Sequence, residues 1–471
     1  MSRVVIINSP LFRERNPLYD EDSLPPIGLG LIATALRNQH HDVELIDAVA
    51  DRIPFQKLIT DVEEKNPDFI GTNVFTTNLE LVKEFVESIK IKTHFIIGGL
   101  STQSLYQKIF QRDTDNSIDI VHGDGEIITL DIVNSTLRES SLAEEKNRRF
   151  YRIPSSSVYF VKDISELSVE RSFFKSEPVQ HPLGFREANI ITSRGCIYNC
   201  AFCAAARSLN KDFNIREMTA PQIIFEVEHL IEIYPGLESI RVLDDLFLKN
   251  KHTVNTAIEV FKHFNLQWRS MAHVQTFRDV EEGTIRQLKK SGCNELFIGI
   301  ESGSPKILRS IHKTHDVELI RENLSRLLRN GINVKGYFIY GFPEETKEDM
   351  EMTYALALHL KEVSLKHGSY FRTSVFQFRP YHGTELYHDI ESKFGDSSFA
   401  QVSAVQPNKK LSDMVGRLQF NFHSGNYSKE DIETVQMFIY KTTNLAPARI
   451  FALNEGGYTK TNSAMQEMQL T

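Results

Sequence analysis

Cysteine is scarce in this chain, with four in 471 residues, and three of the four fall within the single stretch "TSRGCIYNCAFCAAARS". That distribution excludes a disulfide framework and suits a reducing compartment, so the cytoplasm is the expected location. No apolar run reaches the length of a membrane-crossing helix. The opening, "MSRVVIINSPLF", is too short in its apolar part for a signal peptide and lacks a small-residue cleavage site, so it reads as a first β-strand. A basic tract is missing as well. The net charge is −8, with Lys and Arg scattered, which argues against nucleic acid or an anionic membrane as the main ligand. No G-x-G-x-x-G opens a helix after the first strand, so the dinucleotide fingerprint is absent. There is no internal repeat, and the one tryptophan, Trp268, reads as core together with the many phenylalanines.

What is present is alternation of strands and helices, twice over. In residues 1–140, "RVVIINSP", "DVELIDA", "PDFIGTNVF", "THFIIGGLS" and "SIDIVHG" are β-branched runs separated by helical stretches. This predicts an α/β fold beginning with a Rossmann-like parallel sheet covered on both faces. Such sheets bind ligands at the carboxyl ends of their strands, which puts "SPLF", "TNVFTTN", "GGLST" and "HGDGE" on one rim. Residues 141–186 are polar and irregular and read as a connector. From 187 to 400, six further runs, from "ANIITS" to "RTSVFQFRP", alternate with helices and predict a complete or partial β/α barrel, with its chemistry at the C-terminal strand ends. Residues 401–471 read as a helical extension, "SKEDIETVQMFIYKTTNL", with a polar tail.

Cys196, Cys200 and Cys203 are spaced C-x3-C-x2-C directly after the first barrel strand. A structural zinc site wants four ligands in two close pairs, and a redox pair would leave Cys196 unexplained. The fourth cysteine, Cys293, lies about ninety residues further on and reads as a small buried hydrophobe. A four-iron cubane takes one ligand per iron. Three thiolates on one loop would therefore hold three irons and leave the fourth for a non-protein ligand.

This motif, with Phe202 just before its last cysteine, resembles that of the radical S-adenosylmethionine (SAM) superfamily. Other stretches resemble the same family in chain order: "RVLDDLF", "LFIGIESGSPKIL", "YFIYGFPEET" and "RPYHGTELY". The resemblance implies a [4Fe-4S] cluster on Cys196, Cys200 and Cys203, whose open iron binds SAM and cleaves it to a 5′-deoxyadenosyl radical. It implies SAM contacts from Phe202, Asp244, Glu301, Ser302, Tyr340, Gly341 and Pro343. Each has a plainer reading: Asp244 and Asp245 as a helix cap, Glu301 and Ser302 as a strand-to-helix turn, Gly341 and Pro343 as turn residues. Asp245, His273 and Arg379, at strand ends, are the candidates for a substrate pocket, and no catalytic acid or base is assigned.

The first 140 residues resemble the cobalamin-binding domain that precedes the barrel in one subgroup of that superfamily. On that likeness cobalamin would meet Pro26 and Gly28, Thr72 and Asn73, Gly98 and Gly99, and Gly123 and Gly125. No D-x-H-x-x-G is present, and Asp119 and His122 stand at another spacing, so the lower face of cobalt is expected to be free of a histidine ligand. The function implied is methylation of an unactivated carbon of a small-molecule or natural-product substrate, with electrons from a partner such as flavodoxin or ferredoxin. Rearrangement or cyclisation without methyl transfer remains an alternative. Methylthiolation of tRNA is disfavoured because no cysteine precedes Cys196 and the tail is not basic. A cobalamin sensor or carrier without catalysis would have no need of an open iron.

Overall fold

The computed structural model describes residues 1–8, 24–51, 53–180, 184–394 and 426–445. The expected rim stretch "SPLF" and the polar tail lie outside these residues. Five parallel strands open the chain: β1 (Arg3–Asn8), β2 (Asp42–Asp47), β3 (Phe69–Asn73), β4 (His94–Gly98) and β5 (Ser117–Gly123). They lie in the order β2-β1-β3-β4-β5. Val4 to Ile7 of β1 are each at most 2% exposed, because apolar clusters cover both faces of the sheet. The strand order reverses beside β1, where the crevice at the carboxyl ends becomes a ligand site in folds of this kind.

The stretch read as a connector in fact extends this sheet. Strand β6 (Ala143–Glu145) forms a hairpin with β7 (Arg148–Ile153), and β7 runs parallel to β5. Its arginines are hydrogen-bonded internally: Arg149 forks onto Asp119 at 2.7 and 2.6 Å, and Arg148 donates to the carbonyls of Arg112 and Thr114.

The second sheet begins with a short antiparallel edge, β8 (Val179–Gln180), against β9 (Arg186–Ile190). A two-stranded ribbon follows, β10 (Ser193–Arg194) with β11 (Arg216–Glu217). Then come β12 (Ser239–Val242), β13 (Gln267–Ala272), β14 (Cys293–Glu301), β15 (Asn333–Tyr340) and β16 (Phe371–Gln377). Strands β9, β12, β13, β14, β15 and β16 are parallel neighbours in chain order, and β16 and β9 are not paired with each other. The sheet is thus a six-stranded partial barrel. Part of its interior is ionic: Arg269 meets Glu187 at 2.6 Å and Arg372 meets Glu295 at 2.6 Å, with Phe297 beneath Arg269. Such buried pairs are matched because an unpaired charge there would cost several kcal/mol. The helix Ile432–Thr443 closes the far side against β16. No helix among the described residues is long and apolar enough to cross a membrane.

Candidate functional site

The β10–β11 ribbon closes the base of a loop that carries all three clustered cysteines. Gly195 enters it at φ +96°, a conformation that L side chains rarely adopt. Inside the loop Arg207 donates to the carbonyls of Asn210, Lys211 and Phe213, and its backbone N–H donates to Tyr198. Two further backbone bonds tie the loop to the barrel: Ala201 N–H to the Ile311 carbonyl and Leu386 N–H to the Ala201 carbonyl, both 3.1 Å.

All three clustered cysteines are free thiols, and burial pushes each pKa up, that of Cys203 to about 12. Thiolates there require positive charge close by, which an iron cluster supplies. Among the described residues no three His, Cys, Asp or Glu groups are arranged around a single metal ion. A cubane does not need that arrangement, because each thiolate takes its own iron. The donor set therefore fits a cluster better than zinc. Cys293 is wholly buried at the start of β14, away from the loop.

The two adjacent aspartates after β12 part company. Asp244 accepts from the backbone N–H and hydroxyl groups of both Thr192 and Ser193, at 2.6 to 3.0 Å, and so holds the entry to the cysteine loop. Asp245 instead faces a cavity beside Cys196 and accepts from Gly195 N–H at 3.3 Å. Glu301 ends β14 at φ +63°, which is strained for a residue with a side chain. Its carboxylate pairs with Lys313 at 2.9 Å, both groups buried. Burial opposes the charge on Lys313, but Glu301, Cys200 and Cys203 outweigh it and hold its pKa up.

The remaining predicted mouth residues have internal partners. Ser302 shares a 3.0 Å hydrogen bond with Thr353, and the Tyr340 hydroxyl meets Thr442 at 2.7 Å. Gly341, at φ +88°, donates its N–H to Glu345, and Pro343 follows in the same half-buried turn. Phe202 packs edge-on to Phe342 at 6.0 Å. His273 stacks on Tyr198 of the cysteine loop, and Arg379 is buried just after β16.

The cavity, of about 560 Å³, runs from the rim of the first sheet to the cysteine loop. Pro26, Gly28, Thr72, Asn73, Gly98, Gly99, Gly123 and Gly125 all line it, and so do Cys196 and Asp245. A Cβ added at Gly28 or Gly98 would meet nothing within 4 Å, so these glycines leave room for a bulky ligand. At Gly99 the demand is conformational: φ is +125°, and a Cβ would lie 2.5 Å from the Val74 carbonyl oxygen. An apolar wall with open backbone fits a flat macrocycle. The cavity also takes in Phe75 and His122, from the rim stretches "TNVFTTN" and "HGDGE", and Arg194 and Phe213, which sequence reasoning did not select. Arg194 is an interdomain clasp, meeting Asp124 at 2.8 Å and Glu126 at 2.5 Å. His122 shares a hydrogen bond with Thr102 at 3.1 Å, and burial, helped by Arg152, lowers its pKa to about 4.

Comparison with known proteins agrees with this geometry. The family described as "Radical SAM superfamily" matches residues 190–357, and the "B12 binding domain" matches residues 21–133. The chain is 25% identical over 380 residues to the uncharacterized methyltransferase PH0819 of Pyrococcus horikoshii, covering 77% of this chain and 78% of that one. It is 22% identical over 387 residues to the bacteriochlorophyllide d C-8(2)-methyltransferase of Chlorobaculum tepidum, covering 79% and 78%. Its fold is similar to that of the radical S-adenosylmethionine methyltransferase TsrM from Kitasatospora setae, solved with cobalamin and a [4Fe-4S] cluster bound. The TM-score is 0.57 at 16% identity, over 83% of this chain and 75% of that one. The chain therefore belongs to the radical SAM superfamily, in the subgroup whose barrel follows a B12-binding domain, and its cofactors are an iron–sulfur cluster, S-adenosylmethionine and cobalamin.

Proposed function

We propose that this radical SAM methyltransferase places a methyl group on an unactivated carbon of a small-molecule substrate. The observation that carries the reading is the single cavity lined at one end by the glycine rim of the first sheet and at the other by Cys196 and Asp245. A methyl carrier and a radical source must face the same substrate atom, and one chamber lets them do so. The relative that methylates a named carbon of bacteriochlorophyllide d supports carbon as the acceptor.

When bound, the cluster and SAM supply a hydrogen-abstracting radical and cobalamin supplies a methyl carrier. The chain's part is to hold and shield them. Cys196, Cys200 and Cys203 would hold the cluster, and the buried Glu301–Lys313 pair would offer opposite charges to the amino and carboxylate groups of SAM. Phe202, Ser302, Tyr340, Gly341 and Pro343 form the wall behind that position, and Asp244 keeps the cysteine loop in register with β12. Pro26, Gly28, Thr72, Asn73, Gly98, Gly99, Gly123 and Gly125 form the cobalamin floor. Asp245 and His273 flank the substrate. Electrons come from a small reductant protein such as flavodoxin or ferredoxin.

The test is anaerobic reconstitution with iron, sulfide and hydroxocobalamin, followed by SAM and dithionite. Formation of 5′-deoxyadenosine is expected, and a chain loaded with all cofactors that never cleaves SAM would refute the proposal. With a substrate in hand, a product heavier by one methyl separates methylation from rearrangement or cyclisation.

A further inference from the structure

Arg379 stands directly after the last barrel strand, at the end that carries the cysteine loop, and is only 5% exposed. Its Nε and Nη1 are buried without a hydrogen-bond partner among the described residues. Among the other buried arginines, Arg241 lies over the Phe297 ring at 4.7 Å. Arg171, Arg269 and Arg372 each meet a glutamate at 2.6 to 2.8 Å. Burial disfavours the charge on Arg379, yet a guanidinium does not give up its proton in a protein. A buried cation that must stay charged and has no counterion among the described residues calls for one from outside.

The surroundings identify where that anion would come from. Phe378, the preceding residue, packs on Phe342 at 5.1 Å, and Phe342 meets Phe202 of the cysteine loop. The following turn docks on the first domain. His382 N–H donates to the Thr76 hydroxyl at 3.0 Å, next to the cavity-lining Phe75, and Gly383 approaches Ser104 so closely that a Cβ would lie 2.1 Å from its oxygen. The segment from Phe378 to Gly383, which carries Arg379, thus runs where the barrel mouth, the cysteine loop and the rim of the first sheet converge. That is where a substrate spanning the two cofactors would rest.

We propose that Arg379 receives an oxyanion of the substrate, a carboxylate or a phosphate-type group, so that the methyl acceptor is an anionic small molecule. This rests on the methyltransferase reading above. The guanidinium would donate charge-assisted hydrogen bonds to the anion and fix the far end of the substrate, leaving the reacting carbon to face the cavity.

The test uses the full chain loaded with its cofactors and two probes, inorganic phosphate and acetate, titrated at constant ionic strength and pH while the thermal midpoint is followed. A ligand that binds only the folded state raises the midpoint by mass action. The wild type is expected to respond to at least one probe, with apparent affinity about tenfold or more weaker in Arg379→Met and intermediate in Arg379→Lys. A stronger response to phosphate assigns a phosphate-type substrate, and a stronger response to acetate assigns a carboxylate. Should Arg379→Met fail to fold, Arg379→Gln makes the same comparison. Equal responses from wild type and variant overturn the proposal. So does a tenfold loss of SAM or hydroxocobalamin affinity in the variant, because the anion would then be a cofactor's own carboxylate or phosphate. No turnover is read, so this assay can fail while the wild type cleaves SAM, and the reverse.

Discussion

The imidazole of His273 lies flat against the ring of Tyr198, with centroids 3.7 Å apart and planes 20° from parallel. Tyr198 sits between Cys196 and Cys200, so this stack braces the cysteine loop from the third barrel strand. The Nδ1 atom accepts the Gln275 N–H at 3.2 Å, which leaves the proton of the neutral ring on Nε2, buried and without a partner among the described residues. A phenyl ring preserves the stack and lacks the donor. His273→Phe is therefore expected to retain iron like the wild type. His273→Ala, which loses an aromatic contact of about 1 kcal/mol together with its packing, is expected to lose cluster on gel filtration. Iron and sulfide counts per chain distinguish the two.

The same residue makes stability depend on pH with a definite sign. Burial, with Lys313 adding, lowers its pKa to about 2, while an exposed histidine titrates near 6.5. Below about 6.5 the unfolded chain takes up a proton that the folded chain refuses, so stability is full above that pH and declines as pH falls. His122, lowered to about 4, acts in the same direction over a narrower window. Between pH 6 and 4, His273→Phe is expected to remove about 1.4 kcal/mol per pH unit from the slope of unfolding free energy. Urea melts across that range, with m held constant, measure it. An unchanged slope would mean that the imidazole is protonated in the fold.

The four cysteines are expected to divide three to one. Replacing Cys196, Cys200 or Cys203 by Ala should abolish the iron–sulfur absorbance near 400 nm and reduce 5′-deoxyadenosine to background, because a cubane with two protein ligands is not held. Cys293→Ala should keep full iron and lose only about 1 kcal/mol for the small void left at the start of β14. Iron analysis and thermal midpoints of the four variants check this.

Much of the fold was legible because parallel strands buried on both faces are apolar runs, and the runs in "RVVIIN" and "NVKGYFIY" fall on β1 and β15. "RRFYRI" escaped notice because β7 satisfies its arginines with Asp119 and backbone carbonyls rather than with apolar packing. At the site, the cysteine spacing was local and could be read directly. Asp244 and Asp245 could not be told apart, since neighbouring residues point in opposite directions and only the docked loop shows which one meets the cavity. Arg194 and Phe213 flank the cysteine loop and meet the rim of the first sheet only when the two domains close on each other, so no spacing announces them.

Gly98 and Gly99 are neighbours on the cavity rim of the first sheet, and they should fail in different ways. A Cβ at Gly98 meets nothing within 4 Å and points into open cavity, so Gly98→Leu adds bulk where the macrocycle would lie without disturbing the protein around it. The variant is expected to melt within about 0.5 kcal/mol of wild type, as substitutions that disturb no internal contact usually do. It should nevertheless bind hydroxocobalamin at least about tenfold more weakly. Gly99 combines φ +125° with a Cβ position 2.5 Å from the Val74 carbonyl oxygen, so Gly99→Ala forces the β4 turn to shift. It is expected to cost about 1–3 kcal/mol of stability. Cobalamin titrations followed by absorbance, paired with thermal melts of the apoprotein, separate a ligand-contact glycine from a conformational one. If Gly98→Leu binds cobalamin as the wild type does, the macrocycle lies elsewhere in the cavity.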